Sequence, residues 1–215
     1  AGKVAAAAST LQAEGLKVSE SVFDVTNASD VTQAVEQIES TLGPLDILIN
    51  NAGFGRQGEF VERSLEVDLG MIDLNVKALV ADDMIEQGSG KILHVNSTAG
   101  FMLGPLQATY FATKAFVVSL TKATNYELRN TNISVTALCP GPVKTEFEFA
   151  AGMGNSKMFE KGADAYSTAL KGYKAMMKGK TIIISDFGFR ILINYLSPFI
   201  PQSFVLKVVE KIQTK

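Results

Sequence analysis

The sequence predicts a doubly wound α/β fold, a parallel sheet with helices on both faces, and three observations predict it. Short apolar runs of strand length recur, at Leu45 to Asn50, from Ile92 and at Ile133 to Leu138. Between them lie longer stretches with helical periodicity, and strands alternating with helices indicate a parallel sheet covered on both sides. Polar residues gather where the runs end, at Asp24, Asn50, Asn51, Ser97, Pro140 and Gly141. In doubly wound sheets ligands bind beyond the carboxyl ends of the strands.

In chain order, Val4 to Gly15 reads as a helix closed by a glycine and Lys17 to Phe23 as a strand. A turn from Asp24 leads to a helix over about Ala28 to Leu42, with Asn27 as its cap and Val31, Val35 and Ile38 on its inner side. The strand Leu45 to Asn50 follows, and Glu59 to Gln87 is expected to be mostly helical. Gly88 to Lys91 turns the chain into the strand from Ile92 to Ser97. A helix over 108–129, the strand Ile133 to Leu138 and a turn from Cys139 to Phe147 come next. Residues 148–162, with glycines at 152, 154 and 162, read as a mobile loop that covers a substrate. A helix over 163–178 and a strand from Thr181 to Ser185 complete the sheet.

With 215 residues, 47% of them hydrophobic, the chain can bury the core of a globular domain. A net charge of -2 leaves no basic footprint, which argues against a nucleic-acid partner. The single Cys139 cannot form a disulfide within the chain, consistent with a reducing compartment, and reads as a small buried hydrophobe. The alanine-rich start has no charged region leading into an apolar one, so it is not read as a signal peptide. It lacks an initiator methionine and resembles the end of a helix that began earlier.

The chemistry is expected in the stretch Ile92 to Lys114. Tyr110 and Lys114, four residues apart on a helix, share one face, so an ammonium can sit near the phenol and favour its ionised form. A free phenol titrates near pH ~10, too high for easy proton exchange at neutral pH. Gly53 to Gly58 matches G-x-G-x-x-G after a strand, yet no clear helix start packs on these glycines. They are read as loop flexibility, not as a pyrophosphate cradle. His94, the only histidine, is read as a satisfied strand residue.

Together, Asn50-Asn51-Ala52-Gly53, Asn75, Ser97, Tyr110-x-x-x-Lys114 and Pro140-Gly141-Pro142-Val143-Lys144-Thr145 resemble, in order and spacing, the short-chain dehydrogenase/reductase family. The match spans roughly Lys17 to Phe147. A lone Y-x-x-x-K is a weak signal, whereas these motifs in register are specific. The resemblance implies a Rossmann-like fold in which residues 1–186 form the dinucleotide-binding and catalytic domain and 187–215 an apolar tail. It implies an NAD- or NADP-dependent oxidoreductase, NADP slightly favoured, that moves hydride between a nicotinamide and a ketone or secondary alcohol. Tyr110 would be the acid or base, and Ser97 would hold the substrate oxygen. Lys114 would lower the Tyr110 pKa and bind the nicotinamide ribose, and Asn75 would steady a proton relay. Asp24 and Val25 would meet the adenine, and Asn51, Ala52 and Gly53 the adenine-side ribose. Pro140, Gly141, Val143 and Thr145 would form the nicotinamide wall. Each has a plainer alternative: Asp24 capping a turn, Thr145 capping a helix, Asn75 satisfying a neighbouring backbone.

Two departures stand out. The family's opening strand and its T-G-x-x-x-G-x-G loop have no counterpart in this sequence. After Asn75, relatives carry roughly six to eight more residues, about 10 Å of helix at ~1.5 Å per residue. Omission of stretches from the sequence is favoured over true truncation, because a sheet without its first strand leaves an apolar edge open. Val80 and Ala81 are then expected to lie too far apart for a peptide bond, which spans ~3.8 Å between Cα atoms.

The tail from Phe187 to Lys215 is broken by Arg190, Pro198 and Pro201 and cannot span a bilayer. A partner subunit or the substrate pocket is the preferred place for its apolar stripes, with peripheral contact on a membrane as the alternative. The expected partners are a small-molecule substrate, lipophilic or acyl-type, and further copies of the chain as a dimer or tetramer. The expected location is the cytoplasm, with membrane association through the tail as the alternative. Within the enzyme reading a 3-oxoacyl reductase is the leading specific reaction. A non-catalytic binding protein of the same fold is the reading from a different class.

Overall fold

The computed structural model describes residues 2–78, 87–154 and 159–214. They divide into two compact units, Ala1–Pro44 and Leu45–Lys215.

The first unit holds helices Gly2–Ala13 and Ala28–Leu42. The second begins as its sequence predicts: Asn27 is its cap and accepts from Ser29 N at 3.0 Å. Gly43, at φ 89, ends it in a conformation that glycine adopts without strain. The expected strand over Lys17 to Phe23 is absent; these residues are largely exposed and outside regular structure. A strand needs a neighbour to take its N–H and C=O groups, and among the described residues none pairs with this stretch.

The second unit is built on four parallel strands in the order β1 (Ile47–Asn50), β2 (Ser89–Val95), β3 (Asn132–Cys139) and β4 (Ile182–Ile184). Their pairing, Asn50 with His94, Val95 with Leu138 and Leu138 with Ile183, brings the carboxyl ends of successive strands side by side. Side chains alternate between the faces. On one face, Ala137, Cys139 and Ile184 pack against Val118 of the helix Ala108–Glu127. On the other, Leu93 and Leu138 pack against Met176 of the helix Ala165–Met177. Helices therefore cover both faces, and β3 is buried throughout Val135 to Cys139, Thr136 included. Each buried Ile, Val or Leu contributes about 1.5–3 kcal/mol. β1 is an edge of this sheet, and Ile49 there is 51% exposed.

The helix expected over Glu59 to Gln87 is much shorter among the described residues. It runs from Leu65 to Ile72, starting at Ser64, whose Oγ accepts from Val67 N at 3.4 Å. It continues as a wide π turn, Asp73–Lys77, closed by Ala78 N donating to Asp73 O at 3.2 Å. Residues 59–64 stay out of it because the Ser64 backbone is extended, at φ -70 and ψ 141. The expected break between Val80 and Ala81 lies outside the described residues.

The tail forms a short helix Phe187–Ile191, a π turn Leu192–Leu196, a 3-10 turn Ser197–Phe199 and a helix Gln202–Gln213. Ile193 and Phe189 anchor it in the core beside Val118 and Cys139. Among the described residues no helix is long and apolar enough to cross a membrane.

Candidate active site

The site grows from the carboxyl end of β2. Ser97, in extended conformation, caps the 3-10 turn Thr98–Phe101, its Oγ accepting from Ala99 N at 3.1 Å. That turn lies on the tyrosine's helix at Gly100, where a Cβ would stand 2.6 Å from Lys114 O. Ser97 thereby lies beside Tyr110, where its hydroxyl acts to lower the phenol pKa.

Tyr110 is 8% exposed. Phe111 meets its ring edge-on with centroids 6.1 Å apart, and Phe147 lies 5.6 Å away. Gly55 closes the third side: a Cβ there would stand 3.1 Å from Tyr110 Cδ2 and 3.0 Å from Phe147 Cζ. The reading of Gly53 to Gly58 as loop flexibility is corrected here. Gly53 and Gly55 are small because side chains of the site press on them, and no helix begins until Leu65.

Lys114 stands one turn beyond Tyr110, with Nζ 5.7 Å from the ring centroid and donating to Val95 O at 3.4 Å. Gly53 lies between it and Asn75: a Cβ would stand 3.5 Å from Lys114 Nζ and 2.9 Å from Asn75 Oδ1. The Asn75 side chain is fully engaged. Its Oδ1 accepts from Phe54 N at 3.0 Å, and its Nδ2 donates to Phe54 O at 2.9 Å and to Thr113 Oγ1 at 3.0 Å. Thr113 in turn donates to Tyr110 O at 2.7 Å. Asn96 Nδ2 donates to Lys114 O at 3.1 Å, tying the strand end to the same helix.

Burial sets the charges. It pushes the Tyr110 phenol up to about 12, against the lowering by Ser97. It pulls the Lys114 ammonium down to about 8, with Cys139 acting the other way. The expected lowering of the Tyr110 pKa is thus reversed in direction, because loss of hydration of the phenolate outweighs the opposing effect of Ser97. His94 is pulled down to about 4, first by burial and then by the charge of Lys114, and its Nδ1 meets Asn50 Nδ2 at 3.3 Å. A neutral, bonded strand histidine is what the sequence predicts.

The other predicted contacts are less gathered. Asn51, Ala52 and Gly53 lie exposed beyond β1. Pro140 O accepts from Thr98 N at 2.9 Å, beside Ser97, and Gly141 lies under Phe189, where a Cβ would stand 3.0 Å from its ring. Val143 pairs with Ala163. Thr145 is exposed, accepts from Phe147 N at 3.3 Å and lines a cavity of about 600 Å³ with Lys144, Phe149 and Phe159. In the first unit, Asp24 Oδ1 accepts from Thr26 N at 2.9 Å and Thr26 Oγ1 at 2.7 Å, which is the turn-capping alternative, and these bonds lower its pKa.

The loop after Phe147 packs beside the site through Phe147, which also lies against Tyr110. Its described part has a small core of Ala151, Met153 and Phe159 with Phe147. It is fastened by Gln57 N to Ala151 O at 2.9 Å and by Gln107 Nε2 to Met153 Sδ at 2.7 Å. Phe101, in the turn after Ser97, packs inward against the core. Sequence reasoning missed Asn96, Thr113, Arg63 and Asp68. Only Asn96, next to Ser97, carried a local signal.

A parallel sheet covered on both faces, with serine, tyrosine and lysine gathered at its carboxyl end, defines a Rossmann-like protein. The chain belongs to the short-chain dehydrogenase/reductase family: the family described as short chain dehydrogenase matches residues 1–154. Gluconate 5-dehydrogenase of Gluconobacter oxydans is 39% identical over 146 residues, covering 65% of this chain and 57% of that protein. The 3-oxoacyl-(acyl-carrier-protein) reductase of Thermotoga maritima is 36% identical over 142 residues, 62% of this chain and 58% of that one. The chain thus spans little more than half the length of the curated relatives it matches. Among solved structures, a family member from Burkholderia phymatum in complex with NAD has a TM-score of 0.81 at 23% identity, covering 89% of this chain and 79% of that one. A short-chain dehydrogenase from Sphingobium yanoikuyae in complex with NADPH has a TM-score of 0.77 at 27% identity, with coverage of 87% and 76%.

Proposed function

We propose that the protein is an NAD(P)(H)-dependent oxidoreductase that interconverts a ketone and a secondary alcohol. The observation that carries this is a buried Tyr110 phenol beside Ser97, with the Lys114 ammonium one turn away and 5.7 Å from the ring centroid.

The residues fit the nicotinamide half of a dinucleotide. Lys114 has three N–H donors and, among the described residues, a single, long acceptor, which suits the hydroxyls of a ribose. The missing Cβ of Gly53 keeps the approach to that ammonium open. Asn51, Ala52 and Gly53 would take the adenine-side ribose, Val143 and Thr145 the carboxamide beside Pro140 and Gly141, and Asp24 and Val25 the adenine. The relatives solved with NAD and with NADPH support both forms of the cofactor.

A bound nicotinamide supplies or accepts the hydride. Ser97 orients the substrate oxygen by a hydrogen bond. Tyr110, held neutral by burial, enters as a proton donor, which favours reduction: the carbonyl oxygen becomes a hydroxyl as the phenol O–H breaks. Lys114 then stabilises the phenolate by its charge, and Asn75, through Phe54 and Thr113, holds the helix face from which both project. The ring walls Phe111 and Phe147 favour a lipophilic or acyl-type substrate, and a 3-oxoacyl group is the specific candidate. Exposed Leu69 and Phe116, on the helices from Leu65 and Ala108, support self-association.

Binding of NADPH and NADH to the full-length protein, followed by cofactor fluorescence, tests this together with NADPH oxidation on 3-oxoacyl esters. Enhanced fluorescence is expected, with turnover that falls at least about a hundredfold in Tyr110→Phe. Equal turnover by the variant would remove the reading.

A further inference from the structure

Arg63 and Asp68 form a buried ion pair outside the residues of the proposed reaction, with side chains 5% and 11% exposed. A guanidinium has five N–H donors, and here each has an acceptor. Nε donates to Asp68 Oδ1 at 3.1 Å, and Nη2 to the same oxygen at 3.0 Å and to Thr109 Oγ1 at 3.3 Å. Nη1 donates to Gly58 O at 2.6 Å and to Leu106 O at 3.3 Å. Removing a buried pair from water costs about as much as the attraction returns, so such a pair is better evidence for specified geometry than for stability.

The geometry it specifies surrounds Tyr110. Gly58 ends the loop whose Gly55 lies against the tyrosine ring, and Thr109 is the residue before Tyr110. Leu106, in the turn that leads into the helix, has φ 67, the sole positive φ among described non-glycine residues. That conformation costs roughly 1–2 kcal/mol for an L-residue. It persists where its carbonyl accepts both from Gly58 N at 2.9 Å and from Arg63.

We infer that Arg63 is a positioning residue for Tyr110: one cation ties the loop beneath the ring to the turn that starts its helix, and so fixes the slot in which the phenol sits. The inference rests on the reading of Tyr110 as the proton donor of the site. Lysine, a point charge with three donors, cannot span the same acceptors.

The test follows the ionisation of Tyr110 itself, in full-length protein carrying ¹³C at the tyrosine Cζ, with the signal assigned through Tyr110→Phe. At pH ~10.5, just above the free-phenol value, the wild-type signal stays at the neutral-phenol shift. In Arg63→Lys the slot loosens and admits water, and the midpoint falls by about one unit, a tenfold change in proton concentration. Thr109→Val, which deletes one acceptor at constant volume, gives a smaller fall in the same direction. A midpoint unmoved in Thr109→Val, with an unchanged melting curve, overturns the inference even if Arg63→Lys fails to fold. A shifted midpoint in a protein with no carbonyl turnover upholds the clamp and removes the proposed reaction instead.

Discussion

Asn75 and Thr145 are both polar residues at the carboxyl end of the sheet, and they are held in opposite ways. Asn75 is buried and its bonds reach Phe54 and Thr113, 21 and 38 residues away. Thr145 is exposed, and its bond goes to Phe147, two residues on. Asn96 and Lys114 resemble the first; Asp24, bonded to Thr26, resembles the second. The groups that would move a proton are fixed by the chain itself before any ligand arrives. Thr145 and Asp24, which would touch a cofactor, bond only within their own turns and keep a face toward solvent.

The largest test of this contrast is Asn75→Ala. It strands the N–H and C=O of Phe54 and the hydroxyl of Thr113, and is expected to cost about 3–4 kcal/mol in denaturant unfolding. A loss below about 1 kcal/mol would break the comparison, since the buried side would then not depend on its own bonds.

His94 tests the same side through pH. Its pKa is depressed from 6.5 to about 4, so the folded state binds this proton less readily than the unfolded chain. Stability from the neutral ring is present above pH 6.5 and is lost as the pH falls toward 4, by about 3 kcal/mol. His94→Gln should flatten that part of the wild-type curve in thermal melts between those pH values. An unchanged slope would mean that the strand end admits charge.

Thr145→Ala should be smallest in stability, within about 0.5 kcal/mol of wild type. Its effect belongs to the ligand: NADPH affinity is expected to fall about fivefold, one neutral hydrogen bond's worth, by fluorescence titration. A large loss of stability with unchanged affinity would reverse the assignment of the two sides.

Local chemistry was legible in the sequence, and pairing was not. Asn27 announces its helix because the cap is made within two residues, and Ile133 to Leu138 announces β3 because Ile133, Val135 and Ala137 alternate with Ser134 and Thr136 at the period of a strand. Lys17 to Phe23 has the same alternating look, but a strand is a property of two segments, and no local pattern reports the absence of the second. Tyr110, Lys114, Ser97 and Asn75 were found as a set because their spacing is a family pattern. Arg63 was invisible for the opposite reason. Two of its acceptors, Leu106 O and Thr109 Oγ1, are 43 and 46 residues away, and Asp68, five residues on, does not by itself mark an arginine that faces inward.

The π turn at Asp73–Lys77 turns all this into a question of phase. Closing Ala78 onto Asp73 takes one residue more than an α turn needs. Each added residue advances a helix by about 100°, so everything beyond the turn is rotated relative to what precedes it. A chain shorter by one residue here would wind into a more regular helix and would carry Asn75 away from Phe54 and Thr113. At this point the protein keeps a surplus residue, and the surplus is what aims the side chain.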